Sequence, residues 1–245
     1  MLAPSAAVLL DAWEQGLALP LPRRPLALLT AVYPENPVEQ LANQSVGRND
    51  ALLLALREAL FGAQLHGVSA CPHCAEKIEM NFSVDDLRVA TSDEQASGVF
   101  HLCTREHELQ FRLPTTLDLE AAAATPDVEA ARQMLLSRCV LSASTPAGTV
   151  APTALPDPVL AVVSEAMSHA DPQAAAEIAL TCPACAQTWT TAFDIGAFLW
   201  AEVHAWAQHQ LRDIHALATA YGWNEKEVLA LSPARRRAYL DLAQS

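Results

Sequence analysis

Cys71-Pro72-His73-Cys74-Ala75-Glu76-Lys77-Ile78-Glu79-Met80-Asn81-Phe82 and Cys182-Pro183-Ala184-Cys185-Ala186-Gln187-Thr188-Trp189-Thr190-Thr191-Ala192-Phe193 are two copies of one pattern, 111 residues apart (71 to 182). Ile78 falls on Trp189, Met80 on Thr191, Phe82 on Phe193 and Val84 on Ile195. In the first copy Lys77, Glu79, Asn81 and Ser83 alternate with these apolar positions, which is the period of a half-buried strand. Each copy therefore reads as a thiol pair on a tight turn that feeds a strand. The proline fixes φ within the turn. Upstream of the cysteines the copies do not align residue by residue: Val68 falls on Ala179 and Gly67 on Ile178.

A C-x2-C turn presents two soft ligands to one side of a cation, and two such turns face to face make the tetrahedral four-thiolate site that zinc prefers. The spacing alone is a weak argument, because 107 residues separate the pairs, whereas ordinary ribbons leave about 15–20. The repeat strengthens it, since duplicated half-sites meet across a pseudo-twofold axis. Cys71, Cys74, Cys182 and Cys185 are thus the expected ligands of one structural Zn2+. Four thiolates leave no open position for water, so this metal is expected to stabilise the fold and not to catalyse.

Three other readings stay open. A redox pair would need a helix starting at the first cysteine to lower its pKa, but strand alternation begins just after Cys74. A local site could recruit Cys103, His101 or His107 to Cys71 and Cys74; the simpler reading makes Cys103 a small buried hydrophobe beside a hairpin turn. The third is a chain with no metal. Cys139 reads as core on a helix.

The chain has 245 residues, 51% hydrophobic and 18% charged, enough for a substantial core in one large or two small domains. Fifteen Lys plus Arg face 28 Asp plus Glu, a net charge of −13, which disfavours a generic phosphate-backbone binder. Asp85, Asp86, Asp93 and Glu94 read as solvated surface. No basic leader precedes the first apolar run and no stretch approaches a membrane span, so a reducing cytoplasm and no membrane are expected. Only two residues are lysine, beside thirteen arginines. With abundant alanine, this composition points to a GC-rich bacterial genome.

The expected fold class is α+β, mostly helical, with two zinc-knuckle β-hairpin units as a pseudo-repeat and a C-terminal helical segment. Ser5 caps a helix over 5–15 stopped by Gly16, and Pro25 starts another that ends before Pro34. Residues 41–48 read as loop, and Asn49 or Asp50 caps a helix over 51–60 stopped by Gly62. A strand leads into Cys71. A loop over 90–98 precedes a hairpin of 99–103 with 108–113, and helices follow over 117–124 and 127–140. Pro146, Gly148, Pro152 and Pro156 make 143–157 a linker or surface loop. A helix over 158–170 and a strand into Cys182 come next. A long amphipathic helix over 194–221 carries Leu199, Val203, Trp206, Ile214, Leu217 and Tyr221 as its packing stripe, with His204 and His215 as ordinary helix residues. Gly222 stops it, Asn224-x-x-Glu227 is a capping box and Ser232-Pro233 starts the last helix. The expected units are 1–62, 63–142, 158–221 and 222–245.

The C-terminal tract reads Tyr221-Gly222-Trp223, an acidic capped turn, Leu229-Ala230-Leu231-Ser232-Pro233, Arg235-Arg236-Arg237 and Tyr239-Leu240. It resembles the baseplate protein family of contractile-tailed phages, whose relatives occur in phage-tail-like contractile injection systems. The run from Arg48-Asn49-Asp50 to Phe61-Gly62, Phe111-Arg112-Leu113-Pro114 with Asp118-Leu119, and Phe193-Asp194-Ile195 with Phe198-Leu199-Trp200 look similar too. The resemblance covers most of the chain from Arg48 onward, with the C-terminal tract as its most specific part. It implies a non-enzymatic role in building or joining a tail baseplate, with other baseplate or hub proteins as partners, either within a particle or as an assembly factor. Trp223, Arg235, Arg236 and Tyr239 are the side chains expected to meet that partner. Zinc is argued from the repeat, not from the family. The runner-up is a zinc-ribbon transcription factor with a C-terminal helix-turn-helix, and a thiol oxidoreductase comes third. No G-x-S-x-G, H-E-x-x-H or phosphate loop is present.

Overall fold

The computed structural model describes residues 2–89 and 98–243; Asp93, Glu94 and most of the expected 90–98 loop lie outside them. The chain runs α1 (Ala6–Leu17), α2 (Arg24–Thr30), α3 (Val38–Ala42), α4 (Val46–Phe61), β1 (Gln64–Ala70), β2 (Lys77–Ser83), α5 (Val84–Leu87), β3 (Phe100–Cys103), β4 (Glu108–Phe111), α6 (Thr116–Ala123), α7 (Val128–Cys139), β5 (Val140–Thr145), β6 (Gly148–Thr149), α8 (Asp157–Ala170), β7 (Glu177–Thr181), β8 (Thr188–Ala192), α9 (Ile195–Tyr221), α10 (Glu225–Ala230) and α11 (Pro233–Ala243). It is an α+β fold, helical for the most part. β1–β2 and β7–β8 are separate antiparallel hairpins, and β3-β4-β5-β6 is a four-stranded antiparallel sheet.

Three apolar clusters hold these elements. The largest joins α1, α2, α4 and α9 with the first hairpin, through Leu26, Leu28, Leu29, Leu54, Leu56, Leu65, Leu199 and Val203. The second lies between β4–β5 and the helices α7 and α8. The third packs α10 and α11 on α9, around Ala207, Ile214, Leu217 and Val228. Of the expected α9 stripe, Leu199, Val203, Ile214 and Leu217 are buried, while Tyr221 is 38% exposed at the end of the helix.

Several expectations are corrected by tertiary contacts. Gly16 does not stop α1. It sits within the helix, where a Cβ would come 2.6 Å from the Trp200 ring, so it is a close-packing position. The predicted 41–48 loop holds the end of α3 and the start of α4. The cap of α4 is Ser45, whose hydroxyl accepts from the Arg48 N–H. Asn49 is buried one turn inside, where its amide donates to the Leu41 carbonyl. Residues 143–157 are not all loop: β5 and β6 pair there and extend the sheet, and Leu155 is buried in the second cluster. Cys103 is exposed at the end of β3, not buried, whereas Cys139 is fully buried.

One junction couples the first long helix to the second half. The Gly47 N–H donates to buried Asp171 at 2.9 Å, and a Cβ on Gly47 would meet that carboxylate at 1.9 Å. Asp50, one turn further along α4, is half-buried and feels the Asp194 and Asp171 carboxylates. Burial first, then repulsion from Asp194 and Asp171, pushes its carboxyl up to about 7. The fold thus favours the protonated acid, whereas the unfolded chain ionises near the ordinary value of about 3.9. Stability is present below that value and is lost as pH rises toward 7. Asp50→Asn should therefore stabilise the protein by about 1–2 kcal/mol at pH 8. In melting curves the gain should grow between pH 4 and pH 7 and stay flat above. A pH-independent gain would overturn this account.

Candidate metal centre

The two hairpins repeat each other in backbone detail. Ala70 pairs with Lys77 next to the first turn, and Thr181 pairs with Thr188 next to the second. His66↔Asn81 in one hairpin corresponds to Glu177↔Ala192 in the other, with the same offset of 111 throughout. The structural repeat thus extends upstream of the cysteines, where the residues themselves do not match. It also extends downstream. Ser83 caps α5 and Asp194 caps α9 at equivalent positions, although one helix is a single turn and the other runs for 27 residues.

Each turn closes in the same way. The Cys71 N–H donates to the Glu76 carbonyl at 2.9 Å, and the Ala75 N–H to the Cys71 carbonyl at 2.9 Å. In the second copy the Cys182 N–H donates to Gln187 at 2.8 Å, and the Ala186 N–H to Cys182 at 2.9 Å. Ala75 and Ala186 adopt left-handed φ values of 60° and 58°, the only non-glycine residues with positive φ among the described residues. That bend turns the following N–H groups of Glu76 and Gln187 toward the Cys74 and Cys185 sulfurs. Alanine bears a steric cost in this conformation that glycine does not. Ala75→Gly should raise stability by about 0.5 kcal/mol net of the extra chain entropy, and Ala186→Gly similarly. A lowered melting temperature for both variants would show that the turn is not strained.

The hairpins bring all four sulfurs together, within 4.8 Å of one another. Cys71 Sγ lies 3.7 Å from Cys185 Sγ, and Cys74 Sγ lies 3.6 Å from Cys182 Sγ. These two contacts exchange under the 111-residue offset, as a pseudo-twofold axis requires. Phe82 and Phe193, equivalent residues, meet edge to face at 5.4 Å beside the same axis. Cys71 and Cys182 are buried, and Cys74 and Cys185 face outward.

The chemistry of this donor set fits zinc. A tetrahedral ion with metal–sulfur bonds of about 2.3 Å has sulfur–sulfur edges of about 3.8 Å, close to the two edges above. Without a cation, crowding pushes the thiols apart in acidity. Burial raises Cys71, but the Cys74 and His73 amides and the neighbouring sulfurs outweigh it and bring it to about 7. At Cys74 the Glu76 amide favours the thiolate, yet burial and the other three sulfurs push it up to about 12. One thiolate forms readily, while Cys74 and Cys185 resist; a divalent cation relieves that repulsion. Neither pair stands at a helix N-terminus, the feature an oxidoreductase uses to stabilise its thiolate. Among the described residues, Cys103, His101 and His107 belong to no such group; they lie on or beside the β3–β4 hairpin.

The four side chains expected at a partner surface lie at the C-terminal end. Trp223 stacks on Tyr221 with ring centroids 4.8 Å apart, and Tyr239 meets Trp223 edge to face at 4.9 Å. Arg235 is exposed. Arg236 is buried and donates to the Gln210 side chain, so it faces the protein's own long helix.

The sequence of the family described as T4 bacteriophage base plate protein matches residues 27–200. The chain belongs to this baseplate protein family. The match takes in both knuckles and the first turns of α9 and ends before the C-terminal tract, where the resemblance had read as most specific. No curated protein and no solved structure matches the chain. Among the described residues of this baseplate-family protein, no helix is long and apolar enough to cross a membrane.

Proposed function

We propose that this protein is a non-enzymatic structural or assembly component of a contractile tail baseplate or related injection machine, stapled by one zinc ion on Cys71, Cys74, Cys182 and Cys185. The observation that carries the reading is a four-sulfur cluster of tetrahedral dimensions at the pseudo-twofold axis of a baseplate-family chain. The zinc would fix the two hairpins against each other. Through α4, which precedes the first hairpin, and α9, which follows the second, it would hold the body rigid for assembly. The protein would be made in the cytoplasm and meet other baseplate or hub proteins there. With a net charge of −13, nucleic acid is a poor main partner.

The docking element would be the tract from Gly222 onward. Its helices are too short to be stable in isolation, and they lean on α9 through Val228 and the Trp223–Tyr239 pair. The inward turn of Arg236 moves the contact to the exposed arginines on either side. Truncation after Tyr221 should abolish co-purification with tail proteins and block particle assembly while the zinc-binding body stays folded. Arg235→Glu with Arg237→Glu should do the same without exposing Val228. Normal particle assembly by both variants would refute docking through this tract. Sequence-specific, salt-dependent DNA binding by the intact protein would favour the transcription-factor reading instead.

A further inference from the structure

A cleft of about 640 Å³ opens between α9 and α11. Arg212 and Arg237 are exposed at its edges, and Arg236 is buried within it. Asp213 and Asp241 line it as well. Three guanidinium groups thus face two carboxylates, on a protein whose overall charge is strongly negative. Arg236 is 7% exposed, and among the described residues its Nε has no hydrogen-bond partner. An orphaned donor on a buried cation is costly. It is the kind of group that a ligand approaching through the cleft can satisfy after a small side-chain shift.

We propose that this cleft is the acceptor site for a carboxylate side chain of a partner tail protein, presented on an acidic segment. This deepens the docking role proposed above and rests on it. The planar fork of arginine matches a carboxylate with two parallel hydrogen bonds. Among the described residues, Arg212 donates only through its Nε, to the Gln208 carbonyl, and its terminal nitrogens face such a ligand. Asp213 and Asp241 oppose any anion in the cleft, so they weaken binding without excluding it. Recognition of a carboxylate therefore rests on the planar fork of the arginines, not on the size of the ligand's charge. Because the protein as a whole repels acidic peptides, binding of one would have to be local to this cleft.

The test uses the intact, zinc-loaded protein and a fluorescein-labelled hexaglutamate peptide followed by anisotropy. The peptide should bind, and Arg212→Ala with Arg237→Ala should weaken binding about tenfold or more. Both residues are exposed, so unchanged circular dichroism and zinc content should accompany the loss. Asp213→Asn should tighten binding. Equal binding by wild type and the double variant, or displacement by equimolar inorganic phosphate, would overturn the proposal. Arg212 lies outside the C-terminal tract, which separates the two failures. If truncation after Tyr221 abolishes co-purification with tail proteins but Arg212→Ala with Arg237→Ala does not, the tract docks by another surface and the cleft is refuted. If truncated protein still co-purifies, the docking reading falls and the cleft with it.

Discussion

Purified protein should carry about one zinc ion per chain, and Cys182→Ser should remove it. Structural zinc sites of this kind contribute about 10–16 kcal/mol of apparent binding free energy at neutral pH, and that free energy is folding free energy. Stripping the metal with a strong chelator should therefore lower the melting temperature by roughly 10 °C or more, and restoring zinc should recover it. The expected loss is similar within each symmetry-related pair, Cys71 with Cys182 and Cys74 with Cys185, because the pseudo-twofold axis exchanges their contacts. Zinc content unchanged in Cys182→Ser would point to the local alternative with Cys103 and His107. Full stability after verified metal loss would mean that the sulfur cluster does not staple the fold.

Asp118→Ala should cost about 2–3 kcal/mol, the usual range for losing charge-assisted hydrogen bonds of a buried carboxylate whose arginine partners still reach solvent. Asp118 is 1% exposed. Its carboxylate receives Arg112 through both terminal nitrogens at 2.6 and 2.9 Å, Arg138 at 3.0 Å, and the Thr115 N–H at 3.0 Å. It thereby ties β4 and α6 to the end of α7. Burial alone would raise its pKa, but Arg112, Thr115 and Arg138 overcome that and hold it well below the usual carboxylate range. A depressed folded pKa contributes stability that is present above about pH 4 and is lost as pH falls through the folded value. Denaturant titrations of wild type and Asp118→Ala should thus differ most at neutral pH and converge in strong acid. A difference under 1 kcal/mol at pH 7 would show that the arginines find equivalent partners without it.

The cysteine pairs and their strands were legible because a repeat in sequence is a repeat in chemistry. Helix ends were legible where a cap acts locally, as at Ser5, Asp127, Asp194, Asn224 and Ser232. Reading failed where a distant residue overrides the local signal. Gly16 looks like a helix stop until Trp200, far along the chain, packs on it. Asn49 looks like a cap until Leu41 and Thr116 claim its side chain. Arg236 looks like surface charge until Gln210 turns it inward. The upstream half of the repeat was hidden because strand pairing is a backbone property and leaves residue identity free. One missed signal was within reach: Ala75 and Ala186 occupy equivalent positions after the second cysteine of each pair. The Asp118 cluster could not be found by spacing, since Arg112 and Arg138 reach it from different elements.

The symmetry of the sulfur cluster also has a bearing on the order of events during synthesis. The ribosome releases Cys71 and Cys74 more than a hundred residues before their partners. At about 5–20 residues per second this delay is roughly 5–20 s. Throughout that interval an ion captured there would be held by two sulfurs alone, and a complementary half-site would exist only on another copy of the chain. Because the two halves share one backbone pattern, the first knuckle of one polypeptide would offer that of a second the same pair of thiolates as its own distant twin. If the cluster takes up zinc as proposed, ion supply during translation would compete with correct closure, and crowded polysomes would raise the share of chains linked through the metal.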